Sequence, residues 1–259
     1  MKRLLKLFLM VLFCYLAIGA SSEKWNISKS THFIVHYKAA KEDFVNQVID
    51  QAEKHYEGIA EDLGFRRYNF WLWDNRAKIY IYNDAKDFQV STGQPEWSSG
   101  SANVRDKVIQ TYPYARSFFD SVLPHEMGHI IFREFISFDN PASPIWLDEG
   151  VASYQEKIRL VFANRMVRKS ITDKKMIPLD KLSAISPQDL KDKDEVSLFY
   201  SESVSVVNYL VKEFGTDDFV TFCQKLRDKR DFIEALSSVY GFKSMEELNN
   251  HWIDYLAGK

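Results

Sequence analysis

The sequence predicts an α+β fold in a single globular domain. Segments with strand patterns lie in the first half of the chain, and segments with helical patterns fill the second half. No internal repeat or long linker divides the 259 residues, which are enough to bury one substantial core.

The strand patterns predict an N-terminal mixed β-sheet. Alternating apolar and polar residues, rich in β-branched and aromatic types, predict the strands 31–38, 77–83, 97–104 and 107–112. Helical patterns lie between them, over residues 42–63 and 85–91, and Gly64 ends the first of these helices.

Apolar residues at helical spacing predict a mainly helical C-terminal half. The first helix, 120–135, has Asp120 or Ser121 as its N-cap and Pro124 in its first turn. Ser244 and Glu247 form a capping box at the start of the last helix. The remaining stretch, 166–195, is predicted to be the loosest. The other predicted helices are 144–165, 197–214, 216–227, 230–239 and 245–256.

The composition excludes several classes of protein. A hydrophobic content of 46% with a formal net charge of −2 does not fit a disordered chain. The charge balance argues against a nucleic-acid partner. Two cysteines cannot build a disulfide framework, and Cys223, within an apolar helical pattern, is predicted to be a buried hydrophobic residue.

Residues 1–20 have the layout of a secretory signal peptide, with a basic start, a short apolar run and small residues at the end. We expect cleavage near 19–21 and a mature domain over residues 23–259. An uncleaved N-terminal anchor is the alternative. The sequence therefore predicts an exported protein, secreted or periplasmic, that contacts a membrane only through an uncleaved N-terminal segment.

The segment HEMGH, residues 125–129, predicts a metal site. On a helix, His125 and His129 lie on one face about a turn apart, so both imidazoles can bind one ion. Glu126 follows the first ligand and lies where a water molecule would be activated. Neutral imidazoles suit zinc, and one Zn²⁺ per chain is expected.

The third ligand is predicted on the next helix. Metzincin peptidases carry Gly and His three and six residues after the second His, but this chain has Phe132 and Phe135 there. The segment 144–156 instead offers Glu149, with Asp148 beside it as a supporting or exposed group. Small residues should let this helix pack against the His125 helix; they are Gly150, Ala152 and Ser153.

HEMGH followed by WLDEGVASYQE resembles the gluzincin zinc metallopeptidases, and in particular the small peptidase MA-like domains. The resemblance covers most of the mature chain and implies a thermolysin-like catalytic domain. It implies that His125, His129 and Glu149 bind zinc and that Glu126 is the general base. The implied reaction is zinc-dependent hydrolysis of a peptide or protein substrate.

The same resemblance implies further site residues. Tyr200, in YSESVSVVNYL, matches a tyrosine that stabilises the developing oxyanion, and Glu156 matches a carboxylate that supports the metal ligands. Gluzincins bind the substrate backbone along an edge strand, here predicted at Gly100, Ser101, Ala102 and Asn103.

The sequence favours an endopeptidase, or a substrate that does not present a peptide terminus. The aminopeptidase branch places a glutamate in the edge strand to hold the substrate amine, but residues 98–112 contain none. The rival hypothesis is a zinc-containing module without catalytic activity, which would bind a peptide or an envelope partner in the same cleft. The presence of Glu126 argues against that rival.

Overall fold

The computed structural model describes residues 24–68 and 70–259. The predicted signal peptide lies outside these residues. Within them, no helix combines the length and the apolar character that crossing a membrane would require.

The predicted mixed sheet is present, and the described residues form five strands of it in the order β1-β2-β3-β5-β4. The outer pairs β1–β2 and β4–β5 are antiparallel, while β2–β3 and β3–β5 are parallel. This order places β4 at one edge, where β5 is its neighbour among the described strands. The strands are β1 (Asn26–Lys29), β2 (Phe33–Tyr37), β3 (Ala77–Ile81), β4 (Ser101–Asn103) and β5 (Val108–Thr111).

The chain is mostly helical after the sheet, which confirms the predicted α+β layout. α3 packs against α1 and α4, and α7 packs against α4 and α5. The helices are α1 (Glu42–Asp62), α2 (Ala85–Thr92), α3 (Leu123–Ile136), α4 (Ile145–Tyr154), α5 (Lys157–Thr172), α6 (Leu179–Leu182), α7 (Lys193–Phe214), α8 (Thr216–Lys229), α9 (Phe232–Tyr240) and α10 (Met245–Ala257).

Several predicted boundaries are wrong. The single helix expected over 144–165 is two helices, because the backbone leaves helical geometry at Glu156 (φ −84°, ψ 86°) and α5 starts afresh at Lys157. The stretch 166–195 is less loose than expected, since it contains the end of α5, all of α6 and the start of α7. The strand expected over 97–104 is only three residues long, and β1 was not predicted.

The start of α3 also differs from the prediction. A π-helical turn, Phe118–Val122, leads directly into α3, and no side chain caps it. Neither Asp120 nor Ser121 is the expected cap, because both lie inside the π-helical turn, and the hydroxyl of Ser121 donates to the carboxylate of Glu156. The predicted burial of Cys223 is confirmed, and its thiol is free.

Candidate metal centre

Two helices bring the predicted ligands together. His125 and His129 lie one turn apart on α3, and their Nε2 atoms are 3.1 Å apart. Glu149 comes from α4, and its Oε2 lies 3.6 Å from Nε2 of His125 and 3.5 Å from Nε2 of His129. Three potential ligand atoms therefore converge on one point.

A carboxylate faces the other nitrogen of each imidazole. Oε1 of Glu156 lies 2.9 Å from Nδ1 of His125, and Oδ1 of Asp148 lies 3.2 Å from Nδ1 of His129. A carboxylate that accepts a hydrogen bond from Nδ1, as Glu156 does from His125, holds the proton there and leaves the lone pair of Nε2 directed at the convergence point. Asp148 lies within ion-pair distance of Nδ1 of His129 without a hydrogen bond, so its contact with that ring is electrostatic.

Two arginines hold these supporting carboxylates in turn. Nε of Arg133 lies 2.9 Å from Oδ2 of Asp148, and Nε of Arg159 lies 2.9 Å from Oε1 of Glu156. The break between α4 and α5 explains why Glu156 is available. Its side chain is buried and turned toward α3, where it meets both His125 and Ser121.

The charges at the centre perturb one another strongly. Burial by itself would raise the pKa of Glu149, but the neighbouring imidazoles outweigh it and lower the pKa to about 2. Burial by itself would lower the pKa of His125 and His129, but the surrounding carboxylates raise both. The site is therefore built to keep Glu149 ionised.

The polar atoms at the centre fit a bound cation. Oε2 of Glu149 is buried and accepts no hydrogen bond from any described residue, although a buried carboxylate oxygen normally has a partner. It is aimed at the two Nε2 atoms. A divalent ion bound by all three atoms would supply the missing partner, so these residues fit a metal.

Glycines let the helices that carry the ligands approach closely. A Cβ on Gly128 would lie 2.9 Å from Cα of Ala152, so α3 and α4 meet there almost backbone to backbone. A Cβ on Gly150 would lie 2.4 Å from the backbone oxygen of Ser203. The expectation that Gly150 faces α3 is therefore wrong: it packs on α7, and Ala152 makes the contact with α3.

A cleft of about 340 Å³ opens beside His125. Glu126 and Tyr200 both line it, and their catalytic roles stay predictions. Burial, together with the negative charge of Glu149, raises the pKa of Tyr200 to about 12, so its hydroxyl stays protonated at neutral pH. The guanidinium of Arg159 lies 5.2 Å from the centre of the Tyr200 ring.

The far wall of the cleft is the segment that leads into β4. Of the predicted substrate residues, Gly100 lines the cleft, while 101–103 form the edge strand next to it. Substrate binding by these residues stays a prediction. Sequence reasoning missed Arg159, which also lines the cleft, and favoured core packing for Trp97, which instead is exposed and lines the cleft. The ion pair of Arg159 with Glu156 could have been predicted, because Arg159 lies three residues after Glu156 in the sequence.

The family model of the Peptidase MA superfamily matches residues 73–258. The match covers well over half of the chain, and the chain belongs to this superfamily. It spans α3, α4 and α7, which carry the three candidate ligands and Tyr200. No curated protein matches the chain significantly.

Proposed function

We propose that this chain is a zinc-dependent peptidase of the gluzincin type with a thermolysin-like catalytic domain. One observation carries the proposal. Nε2 of His125, Nε2 of His129 and an unpaired, buried oxygen of Glu149 lie within 3.1–3.6 Å of one another, beside an open cleft. This donor set is typical of a catalytic site rather than a closed structural one.

The spacing and chemistry of the donors favour zinc. Ligands at tetrahedral zinc, about 2.0–2.2 Å from the ion, lie about 3.3–3.6 Å from one another. Two neutral imidazoles and one carboxylate form a borderline ligand set that zinc prefers over calcium or magnesium. We therefore propose one Zn²⁺ per chain, held by His125, His129 and Glu149.

When bound, zinc polarises a carbonyl group and makes water more acidic. The remaining roles fall to side chains of this protein. Glu126, which lines the cleft next to His125, accepts the proton of the attacking water at its carboxylate and returns it to the leaving amine. The hydroxyl of Tyr200 donates a hydrogen bond to the negative charge that develops on the substrate oxygen.

We propose that the substrate is a peptide or protein cleaved within its chain. β4 is an edge strand, so its free backbone groups are available to an extended substrate. The segment 98–112 offers no carboxylate of glutamate to hold a substrate amino group. We also propose that the protein acts after export, in line with the pattern of residues 1–20.

A digest of a peptide library, read by mass spectrometry, tests the proposal. The wild type should cleave internal bonds, and a chelator should abolish cleavage. Glu126→Gln should keep the metal but lose about three orders of magnitude in rate, because it lacks the general base and its contact with water. Glu213→Gln, an exposed substitution, is the control and should cleave normally.

Two results would overturn the proposal. Equal cleavage by the wild type and Glu126→Gln would reject the role of Glu126. A metal-loaded wild type that binds peptides but cleaves none would favour the non-catalytic binding module.

A further inference from the structure

One helix next to the cleft exposes an apolar surface. On α5, the exposed fractions are 67% for Ile158, 68% for Val161, 56% for Phe162 and 39% for Met166. These residues recur at spacings of three and four, so they lie on the same side of the helix. The opposite side, which includes Ala163 and Val167, is buried against the core.

The same helix is strongly basic. α5 contains five lysines and arginines and no aspartate or glutamate, although the whole chain has a net charge of −2. Lys157 and Arg165 are exposed, lie among the apolar residues and form no ion pair with any described residue. Arg159 and Lys169 pair with Glu156 and Asp173.

An exposed apolar surface interleaved with unpaired cations matches an anionic lipid surface. Amphipathic helices of this composition lie in the plane of a bilayer, with their apolar residues among the lipid headgroups and their cations on anionic lipids. A second copy of this chain fits less well, because a two-fold interface would place the same basic surfaces against each other.

We propose that the exposed face of α5 docks this protein on an anionic lipid bilayer, with Ile158, Val161 and Phe162 entering the headgroup region. This docking does not depend on residues 1–20 or on the proposed peptidase activity, and it replaces the expectation from the sequence that only an uncleaved N-terminal segment contacts a membrane.

The docking would also place the cleft near the lipid surface. α5 begins one residue after Glu156, and Arg159 in its first turn lines the cleft. Trp97, which is 84% exposed on the opposite wall, is a residue type enriched at membrane interfaces. The cleft therefore opens beside the docking helix, where peptide segments close to a bilayer would reach it.

Vesicle co-sedimentation tests the proposal with residues 21–259, so that the apolar N-terminal segment cannot contribute. A cooperative thermal transition first shows that this chain is folded. It should bind vesicles that contain about a quarter phosphatidylglycerol in phosphatidylcholine, but not phosphatidylcholine alone, and added salt should weaken binding.

Two double variants separate the apolar from the electrostatic contribution. Val161→Ser with Phe162→Ser should lower the partition coefficient at least about tenfold. Lys157→Gln with Arg165→Gln should lower it by about fivefold for each cation. The matched controls lie outside α5: Val90→Ser, at a residue that is 79% exposed, and Lys243→Gln should bind like the wild type.

Three results would overturn the proposal. The first is a folded wild type that does not bind anionic vesicles, and the second is α5 variants that bind like the controls. The third is a wild type that fails to bind vesicles but associates with itself or binds polyglutamate, with either interaction abolished by Phe162→Ser. Self-association would assign the surface to a second copy of the chain, and polyglutamate binding would assign it to an acidic protein.

Discussion

Replacing Gly150 by alanine should destabilise the protein and weaken metal binding at the proposed site together. Gly150 follows Glu149 on α4, and a Cβ there would lie 2.4 Å from the backbone oxygen of Ser203 and 2.8 Å from Cγ2 of Val207. Real Cβ atoms do not approach backbone oxygen that closely, so α4 must move away from α7. That movement displaces the carboxylate of Glu149 from the two imidazoles.

The size of the effect follows from two opposing contributions. Overpacking a core costs about 1–3 kcal/mol, and a clash with backbone lies at the upper end. Replacing a mid-helix glycine by alanine returns about 1 kcal/mol of helix propensity. The net loss for Gly150→Ala is about 2 kcal/mol, which lowers Tm by about 4–8 °C in a domain of this size.

Gly58 supplies the matched control, because it lies within α1 and a Cβ there would meet no atom within 4 Å. Gly58→Ala should therefore raise Tm by about 1–4 °C, from a gain of about 0.5–1 kcal/mol. Thermal unfolding without metal, followed by metal titration, measures both effects. If Gly150→Ala is as stable as Gly58→Ala and binds metal like the wild type, the packing argument is wrong.

Three further predictions concern single side chains. Glu156→Gln removes the carboxylate on Nδ1 of His125 and should weaken metal affinity by about 10–100-fold in a chelator competition; unchanged affinity would contradict the supporting role. Tyr200→Phe should lower kcat about 100-fold with little change in KM, and a rise in KM alone would argue against oxyanion stabilisation. Burial raises the pKa of Glu202 to about 8, so the folded state keeps a proton that the unfolded chain releases near pH 4.5. Stability should therefore fall between these pH values, by up to about 1.4 kcal/mol per pH unit, and Glu202→Gln should remove this decline in thermal unfolding. A decline that persists in the variant would show that another group causes it.

The helices and the convergence of the candidate ligands could be predicted from the sequence because both depend on short-range patterns. His125 and His129 are four residues apart, and on a helix this spacing alone places their side chains next to each other on one face. Glu149 was predicted from the motif that follows, and the structure places it beside both imidazoles. These features are local, or need only the approach of two neighbouring helices.

The errors arose where distant contacts outweigh local preference. The pattern over 144–165 favours one continuous helix, yet the helix breaks at Glu156, whose buried carboxylate contacts His125 and Ser121. The local pattern also favours Ser121 as a helix cap, but its hydroxyl donates a hydrogen bond to the carboxylate of Glu156 instead. The partner of Gly150 could not be predicted either, because which helix lies over a small residue depends on the packing of the whole chain.

The metal content of the purified chain tests the central claim most directly. Elemental analysis of the metal-replete wild type should find about one zinc ion per chain, and a variant with His125→Ala and His129→Ala should hold less than about a tenth of that amount while remaining folded. A wild type without metal, or a double variant that keeps it, would contradict the proposed site at His125, His129 and Glu149.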